Sequence, residues 1–286
     1  MKKKIFSFLL AICLIIPAMF AMTACGDDPV DPPASMEAWD GTTATVSAPV
    51  EGVITIETAE ELAGLAAAVN GGETYQGITI ELACDMDLKN KEWTPIGCGS
   101  STSDDIIPTY SRVFRGTFDG KNHTIYNLKV TTFNGGSANS ELAAGVGLFG
   151  HLFEAEVKNL TVDTARVEGH HFVCTAIGYS HKSTIKNITV KNATVIGSYG
   201  DSEENGDKVG GVIGYAATAS EVEDCSISNS SVKAVRDCAK VIGWLSSTST
   251  NTNATAENVT VAHNSGSAPA GYEKDGRNIT DGLYNE

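Results

Sequence analysis

The sequence predicts an all-β chain wound as a right-handed parallel β-helix, a solenoid, closed at its N-terminal end by one short capping α-helix. Three observations predict it. A stretch from Gly147 to Val162 (G-L-F-G-H-L-F-E-A-E-V-K-N-L-T-V) is echoed around Gly178, Gly214 and Gly243, and repeats of this size mark stacked units that cannot bury an apolar face alone. Aligned on each Asx residue, the repeats give aliphatic columns: Leu128, Leu160, Ile188, Cys225 and Val259, then Val130, Val162, Val190, Ile227 and Val261. Parallel strands about 4.8 Å apart stack like side chains in this way. An Asx column, Asn127, Asn159, Asn187, Asp224 and Asn258, precedes them. Asn and Asp tolerate left-handed turns and bond their own backbone, so a corner needs no binding role to explain it.

Residues 1–24 open with Lys2, Lys3 and Lys4 and continue through an apolar run, which reads as a secretory signal peptide. Met22-Thr23-Ala24-Cys25 resembles the lipobox of bacterial lipoproteins, and Cys25 is the expected lipidation site. The alternative is ordinary cleavage near Ala24 that leaves Cys25 free. Residues 25–50, acidic and proline-punctuated at their start, read as a tether. The acidic stretch after Cys25 is similar to the export signal of Bacteroides-type lipoproteins. These readings imply a lipid-anchored protein of the outer membrane, exposed at the cell surface and touching the membrane through its acyl chains only.

Residues 51–264 read as the repeat domain. Val53–Glu57 alternates as a strand. Thr58 and Glu61 form a capping box, and Leu62, Leu65, Ala66 and Val69 recur at helical spacing before Gly71-Gly72. This helix is expected to plug the open first coil. Ile78, Ile80, Leu82, Cys84, Met86 and Leu88 read as one unbroken core strand, and Asp119-Gly120 as a tight turn between two strands. Residues 201–208 and 246–256 read as solvated loops, and 265–286 as a cap strand or a tail.

The order of A-E-E-L-A-G-L-A-A-A-V-N-G-G, E-W-T-P-I-G, F-R-G-T-F-D-G-K-N-H-T-I-Y-N-L, G-L-F-G and V-K-N-L-T-V resembles the GLUG-repeat proteins of bacterial surfaces. The resemblance spans about Val53 to Val261 and implies a pectin-lyase-like parallel β-helix of the kind found in cell-surface proteins and adhesins. It brings no established catalytic residues.

Removing residues 1–24 takes the net charge from −15 to −18, a surface that repels phosphate backbones and argues against nucleic-acid binding. Among the cysteines past Cys25, Cys225 occupies an aliphatic column and is expected as a buried free thiol, while a Cys84–Cys98 bridge stays open. No zinc spacing, phosphate loop or nucleophile triad occurs, so neither metal nor cofactor is expected.

The residues after the marker glycines, His151, Tyr179, Tyr215 and Trp244, would form an aromatic row. Aromatic faces suit sugar rings, and they equally suit a packed wall. Asp119 with His123, Asp104 with Asp105, and His170-His171 are the acid–base candidates, each with a plainer explanation in turn chemistry or exposure. The Asn-x-Ser/Thr triplets at Asn159, Asn187 and Asn258 fall in the Asx column, and Asp163-Thr164-Ala165 is similar to an O-glycosylation acceptor of Bacteroides-type bacteria. The reading is a non-catalytic surface lipoprotein binding a glycan or another surface protein. A β-helix polysaccharide lyase or glycoside hydrolase, and a passive spacer, are the alternatives.

Overall fold

The computed structural model describes residues 36–98, 112–132, 145–198, 207–264 and 280–285. They form a mostly β structure with parallel sheets and one helix. The strands are β1 (Val53–Ile56), β2 (Thr79–Leu82), β3 (Met86–Asp87), β4 (Thr117–Tyr126), β5 (Lys129–Val130), β6 (Phe149–Phe153), β7 (Glu156–Gly169), β8 (Ile177–His181) and β9 (Thr184–Gly197). They continue as β10 (Val209–Gly210), β11 (Ile213–Ala217), β12 (Glu221–Glu223), β13 (Ser226–Ala234), β14 (Cys238–Ala239), β15 (Ile242–Leu245), β16 (Thr250–Thr252) and β17 (Thr255–His263). The helix α1 (Ala59–Asn70) follows β1.

Each named strand pairs in parallel with its counterpart one repeat away. One sheet runs β1-β2-β4-β7-β9-β12-β16, with β3, β5, β13 and β17 joined to its sides, and a second runs β15-β11-β8-β6. Like residues therefore touch. Ile54, Ile80, Phe118, Val157, Ile185 and Val222 follow one another in register, as do Phe149, Ile177, Ile213 and Ile242. All are buried, each contributing about 1.5–3 kcal/mol of transfer free energy.

The register corrects the alignment at both ends. Val259 and Val261 lie opposite Ser230 and Val232, not Cys225 and Ile227, and Val130 lies opposite Val167, not Val162. The cause is that the strands turn twice, at left-handed residues five apart: Asn122 and Asn127, Asn159 and Thr164, Asn187 and Asn192, Asp224 and Asn229, Asn253 and Asn258. Both corners use the same local chemistry, so a pattern match slips from one to the other. The single Asx column resolves into two ladders. In the first, Asn159 donates to Asp119 at 3.0 Å, Asn187 to Asn159 at 3.0 Å and Asn253 to Asp224 at 3.1 Å. In the second, Asn127 donates to Asp87, Asn192 to Asp163 and Asn258 to Asn229.

Asp119-Gly120 is likewise a bend within the continuous β4 rather than a hairpin, since both arms pair in parallel with β7. The expected run from Ile78 to Leu88 breaks between β2 and β3, leaving Cys84 exposed with its thiol donating to the Glu57 carbonyl at 3.1 Å. Cys84 and Cys98 are not bridged to each other, and Cys225 is buried.

The helix forms where the capping pattern placed it. Thr58 accepts from the Glu61 amide at 3.2 Å, while the Glu61 carboxylate takes the Glu57 amide at 2.7 Å, one residue earlier than the usual box. Leu62, Leu65, Ala66 and Val69 join the main core. At the far end of α1, Asn70 accepts from the Gly97 and Cys98 amides and donates to the Pro95 carbonyl. Within the segment read as a tether, Trp39 is buried and meets Trp93 edge-on at 5.6 Å, and the Ala44 amide bonds the Glu60 carbonyl at 2.8 Å. Residues 282–285 supply backbone acceptors to β15, with Tyr284 bridged in parallel to Ile242.

Candidate functional site: the aromatic wall

The marker glycines have a steric cause. A Cβ on Gly150 would lie 2.4 Å from the Gly97 carbonyl oxygen, one on Gly178 2.4 Å from the Gly145 Cα, one on Gly214 2.5 Å from the Phe172 carbonyl carbon and one on Gly243 2.4 Å from the Lys208 carbonyl carbon. At every repeat another backbone lies flat against this position, and only glycine leaves room.

The residue after each glycine then falls in register. His151 pairs with Tyr179, Tyr179 with Tyr215, and Tyr215 with Trp244, one row across β6, β8, β11 and β15. Rings meet edge to face, His151 on Tyr179 at 4.6 Å and Tyr179 on Tyr215 at 5.5 Å. The row is graded in exposure. His151 is fully buried and Tyr179 is 4% exposed, whereas Tyr215 and Trp244 are partly open to solvent. A ligand touching this row meets Tyr215 and Trp244.

Two residues that the repeat pattern did not flag lie against the middle of the row. Phe172 and Lys208 hold left-handed backbones (φ 49° and 52°). The Phe172 ring lies 5.4 Å from Tyr179 and 5.6 Å from Tyr215, and the Lys208 ammonium lies 5.5 Å and 5.6 Å from the Phe172 and Tyr215 rings. Each sits six residues before the next marker glycine, but Phe and Lys share no chemistry, so the offset makes no visible column. Lys208 also contacts the Asp207 carboxylate at 2.7 Å, whose other oxygen lies 2.7 Å from His171 Nδ1. Burial alone would raise the Asp207 carboxyl, but the His171 contact and the Lys208 charge hold it below its ordinary range. Burial, helped by nearby His181, pushes the His151 imidazole down to about 3, and neither ring nitrogen has a hydrogen-bond partner. His151 is thus a neutral member of the wall.

The acid–base candidates are not brought together. Asp119 accepts from the Lys121 amide and from Asn159, while His123 faces Asp85 at 3.0 Å. His171 is committed to Asp207. Cys25, Asp104 and Asp105 lie outside the described residues. No cluster of three or more His, Cys, Asp or Glu able to hold a metal occurs among the described residues. A cavity of about 440 Å³ opens beside the start of α1, lined by Glu57, Cys84, Asp85 and His123 among others. Burial and the surrounding carboxylates raise the Cys84 thiol, so it is no activated nucleophile. Thr164, in the acceptor-like triplet, is a left-handed corner whose hydroxyl bonds Asp163 at 3.2 Å.

Comparison with known proteins covers a limited part of the chain. Over 150 residues, 51% of this chain, it is 29% identical to halomucin of Haloquadratum walsbyi and covers 1% of that protein's length. No solved structure matches. Residues 208–233 match the model of the GLUG motif, a stretch that runs from Lys208 through Gly214 and Tyr215 to the two corners at Asp224 and Asn229.

Proposed function

We propose that this chain is a right-handed parallel β-helix displayed at the cell surface through an acylated Cys25, and that it works by recognition rather than catalysis. The parallel registers and the two Asn ladders support the coiled reading, since parallel strands joined by crossovers wind right-handed in nearly all cases. The observation that carries the functional reading is the open end of the aromatic row, where Tyr215 and Trp244 stand side by side with the Lys208 ammonium over Tyr215. Aromatic faces with a polar rim take up sugar rings or protein side chains at low entropic cost. The acidic chain, at −15, disfavours polyanionic ligands, so neutral glycans or a surface protein are the class proposed.

The test is retention on glycan and surface-protein arrays, comparing the chain with its Tyr215→Ala and Trp244→Ala double variant. Binding should fall at least tenfold, about 1.4 kcal/mol, with the melting temperature little changed; equal retention, or release of unsaturated or reducing sugar ends by the unaltered chain, overturns the reading. Labelled palmitate should enter the chain and be lost in Cys25→Ser.

A further inference from the structure

The open end of the aromatic row has a hydrogen-bonding character of its own. Lys208 stands between its two exposed rings: its backbone lies against Gly243, the residue before Trp244, and its ammonium lies 5.6 Å from the Tyr215 ring. Tyr215 and Trp244 are register partners on neighbouring parallel strands, about 4.8 Å apart. Donors stand open around these rings. The Trp244 indole N–H and the Tyr215 hydroxyl bond nothing among the described residues, and both side chains are partly exposed. The Lys208 ammonium makes one bond, to Asp207 at 2.7 Å, and has N–H groups to spare. Asp207 offers a ligand nothing in return, because its side chain is 6% exposed, with one oxygen on Lys208 and the other 2.7 Å from His171 Nδ1.

A ligand seated here has to bring an acceptor oxygen beside an apolar face. Sugar classes differ on this point. A plain hexose presents hydroxyls, each of which adds a donor in need of an acceptor. A uronate brings its acceptor with a full negative charge, yet Asp207 already balances Lys208 and the chain stands at −15. An acetamido group supplies a carbonyl oxygen without charge, and a methyl that packs on an aromatic face. Given glycan recognition by this row, we propose that Tyr215, Trp244 and Lys208 form a subsite for an N-acetylated amino sugar. The sugar ring and methyl lie on the two aromatic side chains, and the acetamido carbonyl accepts from the Lys208 ammonium. Asp207, fixed by His171, is the positioning residue that keeps that ammonium at the rim.

Calorimetric titration of the purified full chain in mild detergent tests this, with matched gluco and galacto oligomers in N-acetylated, plain and uronate forms. An N-acetylated series should bind at least tenfold more tightly than its plain counterpart, with little dependence on salt. Lys208→Met keeps the apolar stem and the melting curve, and should bring the acetylated ligand down to the plain level while leaving plain binding unchanged. Lys208→Arg, which keeps a charged donor, should retain most of the preference. A merely structural role for Lys208 would weaken every ligand alike, and that result overturns the proposal. So does tightest binding of a uronate that fades at high salt. Plain oligomers held through Tyr215 and Trp244 with no acetyl preference would sink this subsite and leave glycan recognition standing, whereas a chain that binds none of the series overturns both.

Discussion

At the scale of single residues, the marker glycines and His151 make the sharpest tests. Gly214→Ala puts a methyl where the Phe172 backbone already lies, and neither backbone can yield without breaking parallel pairing. It should cost about 1–3 kcal/mol or more, read as a lowered urea midpoint. His151 makes stability depend on pH in a defined direction. Its folded pKa is about 3, below the ordinary value of about 6.5 for an unfolded histidine. Between those values the unfolded chain binds a proton that the folded chain refuses, so this residue favours unfolding progressively as pH falls from about 6.5 towards 3 and has no effect above. The slope is at most about 1.4 kcal/mol per pH unit. His151→Leu should flatten the acid limb of a stability–pH profile by that amount. An identical limb in the variant would place the charge penalty elsewhere.

At the scale of elements, the bent strands depend on stacked apolar residues inside and amide ladders at the corners. Ile188 lies in register with Leu160 in the middle of the stack, with neighbours on both sides, so Ile188→Ala should cost about 2–5 kcal/mol. Ala256, in the last repeat and partly exposed, marks where that cost fades, and Ala256→Ser should be nearly neutral by the same thermal or urea measurement. The pair separates burial from mere membership of a column. Element identity was largely legible: α1 lies where its capping and spacing predicted, and β1, β7 and β9 where alternation did. The break at Cys84 was not, because Leu82, Cys84 and Met86 keep strict alternation through a corner that the backbone, not hydrophobicity, makes.

At the scale of the whole molecule, one core cluster runs from Trp39 and α1 to Leu283 and Tyr284, so access to its interior reports on global opening. Cys174, Cys225 and Cys238 are buried free thiols, and burial pushes the Cys225 thiol up to about 12. Cys84 is exposed. Alkylation followed by mass spectrometry should label Cys84 within the native chain and the three buried thiols only on unfolding. Early labelling of Cys225 would show that the column around Ile188 opens locally.

Sequence by itself determined the repeat, its parallel-strand chemistry, the capped helix and the aromatic row, because each follows from local spacing that any fold must respect. Tertiary structure alone decided which of two chemically identical corners stacks on which, since Asn159 and Asn258 look alike until their partners are seen to be Asn187 and Asn229. It also decided which end of the row meets solvent. His151 and Tyr215 hold equivalent places after a glycine, yet one is fully buried and the other partly open, and the contacts of Phe172 and Lys208 with Tyr215 come from bends outside the named strands. Contacts between distant segments have no period along the chain, and a periodic signal carries only what repeats.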